Sequence, residues 1–130
     1  MEKYFNFIKT EVYINSYSET IEQLSLSKKI LLVTTSGSWK RGIINKIIEI
    51  FTEEDIIILD SVQPNPELDL LNIWISQFKN KSIKTIIALG GGSAIDAAKV
   101  LSIGLSDRNH HNLNDFLFKK ESINSFYNIP

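Results

Sequence analysis

The 130-residue sequence contains no cysteine. Disulfide staples, thiolate metal sites and cysteine nucleophiles are therefore excluded. It also lacks an excess of either charge: 14 Lys and Arg face 15 Asp and Glu, for a formal net charge of −1. That balance gives no electrostatic case for binding nucleic acid or an anionic membrane. No run approaches the ~18 apolar residues that span a bilayer, and the opening "MEKYFNFIKTEVYINS" lacks the basic segment and long apolar core of a leader. A soluble cytoplasmic protein is expected. Histidine is nearly absent too. His110 and His111 are adjacent in a polar loop, where neighbours one residue apart point differently and rarely chelate one metal.

What is present is ordinary globular material. With 43% hydrophobic and 22% charged residues the chain has enough apolar side chains for a core, and its length suits a single domain. Short apolar runs alternate with stretches of helical period, the pattern of a parallel sheet covered by helices. "ILLVT" (30–34) reads as a buried strand. "SWKRGIINKIIEIF" (38–51) reads as one helix with Ile43, Ile44, Ile47, Ile48 and Phe51 on a single stripe. "DIIILD" (55–60) is a second strand, and after the loop "SVQPNP" a second helix runs over 67–80 through Leu70, Leu71, Trp74, Ile75 and Phe78. "IKTIIAL" (83–89) is the third strand, and "AIDAAKVLSIGL" (94–105) a small-residue helix able to lie close against the sheet. The expected fold is α/β: a Rossmann-like, mostly parallel sheet with helices on both faces, joined by right-handed crossovers. A short amino-terminal hairpin, "KYFNFIK" and "EVYIN", precedes it, followed by a helix opened by the Ser16 and Glu19 capping box. Beyond Leu105 the period is lost, and a loop, a short helix near Phe116–Phe118 and a beginning strand are expected.

The stretch between the third strand and its helix carries the chemistry. In open α/β sheets ligands gather outside the carboxyl ends of the strands. Residues without a Cβ let backbone amides approach a bulky anion, and a helix amino terminus adds unpaired N–H groups and partial positive charge. Gly91, Gly92 and Ser93 thus suit a phosphate or pyrophosphate, the plainer alternative being a tight turn with no ligand. The stretch is not a P-loop, because no lysine followed by Ser or Thr comes after its second glycine. Nor is it the G-x-G-x-x-G dinucleotide fingerprint, since Ile95 occupies the third glycine position. Ser93 has no histidine nearby in sequence to serve as a base, so a serine nucleophile is not supported.

The same residues resemble the iron-containing (group III) alcohol dehydrogenases. The family's "GGGSxxDxAK" hallmark is matched at every fixed position by Gly90, Gly91, Gly92, Ser93, Asp96, Ala98 and Lys99. "LLVTTSGSWKRG" is similar to the family's first strand and turn, and "VQPNP" to its Pro-Asn-Pro loop, so the likeness covers about residues 30–103. The glycines usual after the family's hairpin are replaced by Asn15, Ser16 and Tyr17.

The resemblance implies one NAD(P)-binding α/β domain over residues 1–130, the amino-terminal part of a two-domain oxidoreductase that interconverts small alcohols with aldehydes or ketones. Gly91, Gly92 and Ser93 would hold the pyrophosphate, the turn at Thr35 and Ser36 would face the adenosine ribose, and Asn65 would lie beside the cofactor. Asp96 is a secondary site residue, with a surface ion pair to Lys99 as the alternative role. Many NAD-preferring members carry aspartate where this chain has neutral Thr35. With Ser36, Ser38, Lys40 and Arg41 within reach of a 2′-phosphate, NADP is permitted and mildly favoured over NAD. Trp39 could cover adenine or cap the core. Divalent iron or zinc would be bound only by the family's helical domain, which is expected to be absent here, so the isolated chain should not turn over. A surface meant for that domain would invite self-association, leaving a homo-oligomer open. Two alternatives remain: a nucleotide-binding or interaction module without catalysis, or a relative of glycerol dehydrogenase, glycerol-1-phosphate dehydrogenase or dehydroquinate synthase.

Overall fold

A computed structural model describes residues 29–106, 113 and 114. Its element order is β1 (Ile30–Thr34), α1 (Gly37–Lys40), α2 (Ile43–Ile48), β2 (Ile56–Leu59), α3 (Leu68–Phe78), a 3-10 turn (Lys79–Lys81), β3 (Thr85–Leu89) and α4 (Gly92–Ser106). The expected hairpin, its capping box, the histidine pair and the carboxyl-terminal elements lie outside the described residues.

The three strands form one parallel sheet in the order β2-β1-β3. All of β1 is buried, which is why its sequence is a continuous apolar run without alternation. Leu31 and Val33 point to one face, where they meet Leu71, Trp74, Ile75 and Phe78 of α3 and Ala97, Ala98 and Leu101 of α4. Ile30 and Leu32 point to the other, against Ile44 and Ile47 of α2 and Ile56 of β2. Each such aliphatic side chain contributes about 1.5–3 kcal/mol by leaving water. The chain steps from β1 to β2 on one side, then past β1 to β3 on the other. Right-handed crossovers put two such opposed steps on opposite faces, where α2 and α3 are found.

The single helix expected over 38–51 is two short ones. Gly42 has φ +69°, a left-handed conformation that ends α1, and its N–H bonds the Trp39 carbonyl at 2.9 Å. The isoleucine stripe resumes after this break, with Ile44 and Ile47 fully covered. β1 spans the expected residues, β2 and β3 are each two residues shorter than their apolar runs suggest, and α3 gives way to the 3-10 turn after Phe78. Trp74 and Phe78 are core residues, as expected. The last helix starts at Gly92, two residues earlier than its apolar pattern indicates, so that Gly92 and Ser93 belong to its first turn. Ala94, Ala97, Ala98 and Leu101 are its buried side, and Gly104 lets it approach α3: a Cβ there would lie 2.2 Å from Ile75 Cδ1.

Candidate functional site at the carboxyl edge of the sheet

β1 and β3 are paired in register to their last residues, Thr34 opposite Leu89. Beyond them the chain diverges, with Thr35 and Ser36 leading toward one face and Gly90 and Gly91 toward the other. Two adjacent parallel strands whose connections leave in opposite directions open a crevice between them, the place where open α/β sheets take ligands. Thr35, Ser36, Gly91, Gly92 and Ser93 all lie at this edge.

The β3 loop has two kinds of glycine. Gly90 has φ +142°, which an L side chain rarely adopts. Gly91 and Gly92 have no positive φ, and among the described residues a Cβ built on either meets nothing within 4 Å. Neither strain nor packing among the described residues requires glycine at 91 or 92, and both are exposed. The Ile95 N–H bonds the Gly91 carbonyl at 3.2 Å, so the amides of Gly92, Ser93 and Ala94 precede the first turn's ladder and form the positive end of a 15-residue helix. Asp96 stands one turn further on, its carboxylate 3.6 Å from Lys99 Nζ with side chains 76% and 71% exposed, the surface ion pair given above as its alternative role.

Thr34 ties the edge together. Its hydroxyl donates to the Leu89 carbonyl at 2.7 Å, and its own carbonyl accepts from the Val62 N–H at 3.3 Å. Thr34 Oγ1 is also 2.7 Å from Ser38 Oγ, and both side chains are fully buried. A carbonyl can only accept, so the single Thr34 proton goes to Leu89 and the Ser38 proton must go to Thr34. Ser38 is left with lone pairs, one of which accepts from Arg41 Nη2 at 3.4 Å. The expectation that Ser38 reaches a ligand is thus corrected: it is buried and its proton is committed within the protein. Arg41 folds back over the turn, its Nη1 3.5 Å from where a Gly37 side chain would begin.

On the β2 side, Trp39 Nε1 donates to Asp60 Oδ2 at 2.6 Å, and the ring stays 39% exposed, so it does not cap the core. Asn65, between two prolines, has φ +51°, a conformation asparagine tolerates better than most residues. It borders an open depression of about 510 Å³ between the loop from Ser61 to Glu67 and Leu70 and Trp74 of α3. The sequence reading missed Thr34 and Asp60. A polar residue closing an otherwise apolar strand was the available signal for Thr34, and the acid ending "DIIILD" the signal for Asp60.

This edge can be set against known proteins. The family model described as iron-containing alcohol dehydrogenase matches residues 9–130, nearly the whole chain. The chain belongs to the iron-containing alcohol dehydrogenase family. Its relatives include a choline dehydrogenase of Bacillus subtilis, 33% identical over 92 residues, or 69% of this chain and 23% of that protein. NADH-dependent butanol dehydrogenase A of Clostridium acetobutylicum is 35% identical over 80 residues, 59% of this chain and 21% of the relative. Among solved structures, an iron-containing alcohol dehydrogenase of Thermotoga maritima superimposes with TM-score 0.64 at 28% identity, covering 78% of this chain and 29% of that one. The chain therefore spans less than a third of the length of the proteins it matches. Among the described residues no three His, Cys, Asp or Glu side chains come together. No described helix is long and apolar enough to cross a membrane.

Proposed function

We propose that the carboxyl edge of this sheet binds a nicotinamide dinucleotide, and that the chain serves an iron-containing alcohol dehydrogenase in the interconversion of small alcohols with aldehydes or ketones. The observation that carries the reading is the pair Gly91 and Gly92, glycines for which conformation and packing among the described residues give no reason. A pyrophosphate approaching from outside gives one. A side chain would hold it off, while bare amides at the start of α4 can donate to it. In this reading Ser93 adds a hydroxyl donor, Thr35 and Ser36 face the adenosine ribose across the crevice, and Asn65 lies beside the cofactor from the β2 side. Asp96, paired with Lys99 on the exposed side of α4, is a secondary site residue in this reading.

The bound nicotinamide would accept or return the hydride. The protein's part is to bind and orient the dinucleotide. Thr35 carries no charge to repel a 2′-phosphate, and the Arg41 guanidinium lies over the same turn, so NADP(H) is favoured over NAD(H). The butanol dehydrogenase relative is named as NADH-dependent, which makes cofactor choice a direct point of comparison. A balanced charge supports neither a nucleic-acid nor a membrane partner and fits a cytoplasmic enzyme. Calorimetric titration of NADPH and NADH into the protein and into Gly91→Asp tests the assignment. An added carboxylate facing the phosphates should abolish binding of both, and unchanged binding would rule the pyrophosphate site out.

A further inference from the structure

We infer that Ser38 is a specificity-determining positioning residue, whose buried hydroxyl holds Arg41 over the turn after β1 and thereby favours a dinucleotide bearing a 2′-phosphate. The inference rests on reading the crevice as a dinucleotide site, and goes beyond it in assigning the discrimination to a side chain that no ligand touches. The hydrogen-bond order has only one direction. Arg41 donates to Ser38 at 3.4 Å, Ser38 to Thr34 at 2.7 Å, and Thr34 to the Leu89 carbonyl at 2.7 Å. With its proton fixed inward, Ser38 can only accept, and the Arg41 guanidinium, which can only donate, is a matching partner. An exposed arginine normally samples many rotamers, so a fixed acceptor three residues earlier reduces the freedom that binding must remove. The guanidinium is thus kept beside Thr35 and Gly37, leaving its other donors for a phosphate, which it can grip in bidentate fashion.

A residue that acts through another has a distinctive signature in a double-mutant cycle. Affinities of NADPH and NADH are measured for the 130-residue protein, Ser38→Ala, Arg41→Gln and the double variant, with folding followed by circular dichroism. Arg41→Gln should weaken NADPH about tenfold, equivalent to one charge-assisted hydrogen bond, and Ser38→Ala somewhat less. NADH affinity should stay within about twofold in both, and the double variant should be no weaker than Arg41→Gln alone. Additive losses would mean that Ser38 acts independently of Arg41, and equal losses for NADH would mean that it merely supports the fold; either overturns the inference. If the unaltered protein binds neither nucleotide, the dinucleotide reading itself fails and the inference with it. Should Ser38→Ala not fold, the unaltered protein still carries the test. Arg41 guanidinium nitrogen resonances must shift with adenosine 2′,5′-bisphosphate and not with 5′-AMP, and an equal response to both refutes the assignment.

Discussion

Gly90 and Gly91 are adjacent, yet replacing each by alanine should move stability in opposite directions. At Gly90 the φ of +142° lies in a region that only glycine occupies freely, and holding alanine there costs about 1–3 kcal/mol. The new methyl would sit 3.4 Å from Ala94 Cβ, an ordinary contact, so the cost is conformational rather than steric. At Gly91 φ is not positive, and among the described residues a Cβ meets nothing within 4 Å. Alanine there narrows the unfolded ensemble and should stabilise by about 0.4–1 kcal/mol. For a domain of this size about 4 °C accompanies each kcal/mol, so thermal unfolding should show Gly90→Ala lower by roughly 4–12 °C and Gly91→Ala higher by roughly 2–4 °C. Dinucleotide affinity should fall in Gly91→Ala despite the gain in stability, by about tenfold or more, because the methyl stands where the phosphate would approach. The reasoning is refuted if Gly91→Ala is destabilised like Gly90→Ala, since glycine would then be required by the turn. It is equally refuted if Gly91→Ala folds and binds NADPH as the unaltered protein does.

Gly104→Ala should lower stability by about 1–2 kcal/mol in urea unfolding, since overpacking against Ile75 outweighs the ~1 kcal/mol gained in helix propensity. Adding Ile75→Ala removes all three atoms in the way, so the double variant should lose less than the sum of the single losses. Asp96→Asn should change stability by no more than ~0.5 kcal/mol, because the ion pair with Lys99 is largely exposed. A larger loss by thermal or chemical unfolding would give Asp96 a structural role that its surroundings do not explain.

The strands and the placing of the glycine loop were legible because they depend on local pattern. β1 is an unbroken apolar run since both its faces are covered, and β3 leads directly into α4 since Gly90 turns the chain. The break at Gly42 was written in the sequence as well, but the isoleucine stripe runs on past it, and periodicity alone cannot tell one helix from two that share a face. Less legible were pairings between segments far apart in the chain. Thr34 meets Leu89 across 55 residues and Trp39 meets Asp60 across 21, and neither spacing corresponds to any local geometry. Ser38 was misjudged for a related reason. A serine in a turn beside two cations reads as a surface donor until the buried Thr34 hydroxyl is seen to take its proton.

Thr34 also poses a question of economy in the fold. Valine at that position would extend the apolar run and bury no hydroxyl, so β1 has no need of threonine to form. A buried hydroxyl with its partners in place contributes about 0.5–1.5 kcal/mol per hydrogen bond, a modest gain against its desolvation. The larger effect is on direction. The Leu89 carbonyl that Thr34 holds belongs to the same peptide plane as the Gly90 nitrogen, and the unusual φ of Gly90 is a rotation measured from that plane. Fixing the plane fixes where Gly91 and the first amides of α4 point. Thr34 carries the same constraint through Ser38 to Arg41 on the opposite lip of the crevice, and its carbonyl anchors Val62 beyond β2. The buried hydroxyl therefore ties the loop after β1 to the loop after β3, while the main-chain carbonyl of the same residue ties in the loop after β2. Orienting donors in advance reduces the ordering that binding must otherwise impose. A hydroxyl at position 34 is thus better explained by the ligand edge than by the strand it terminates.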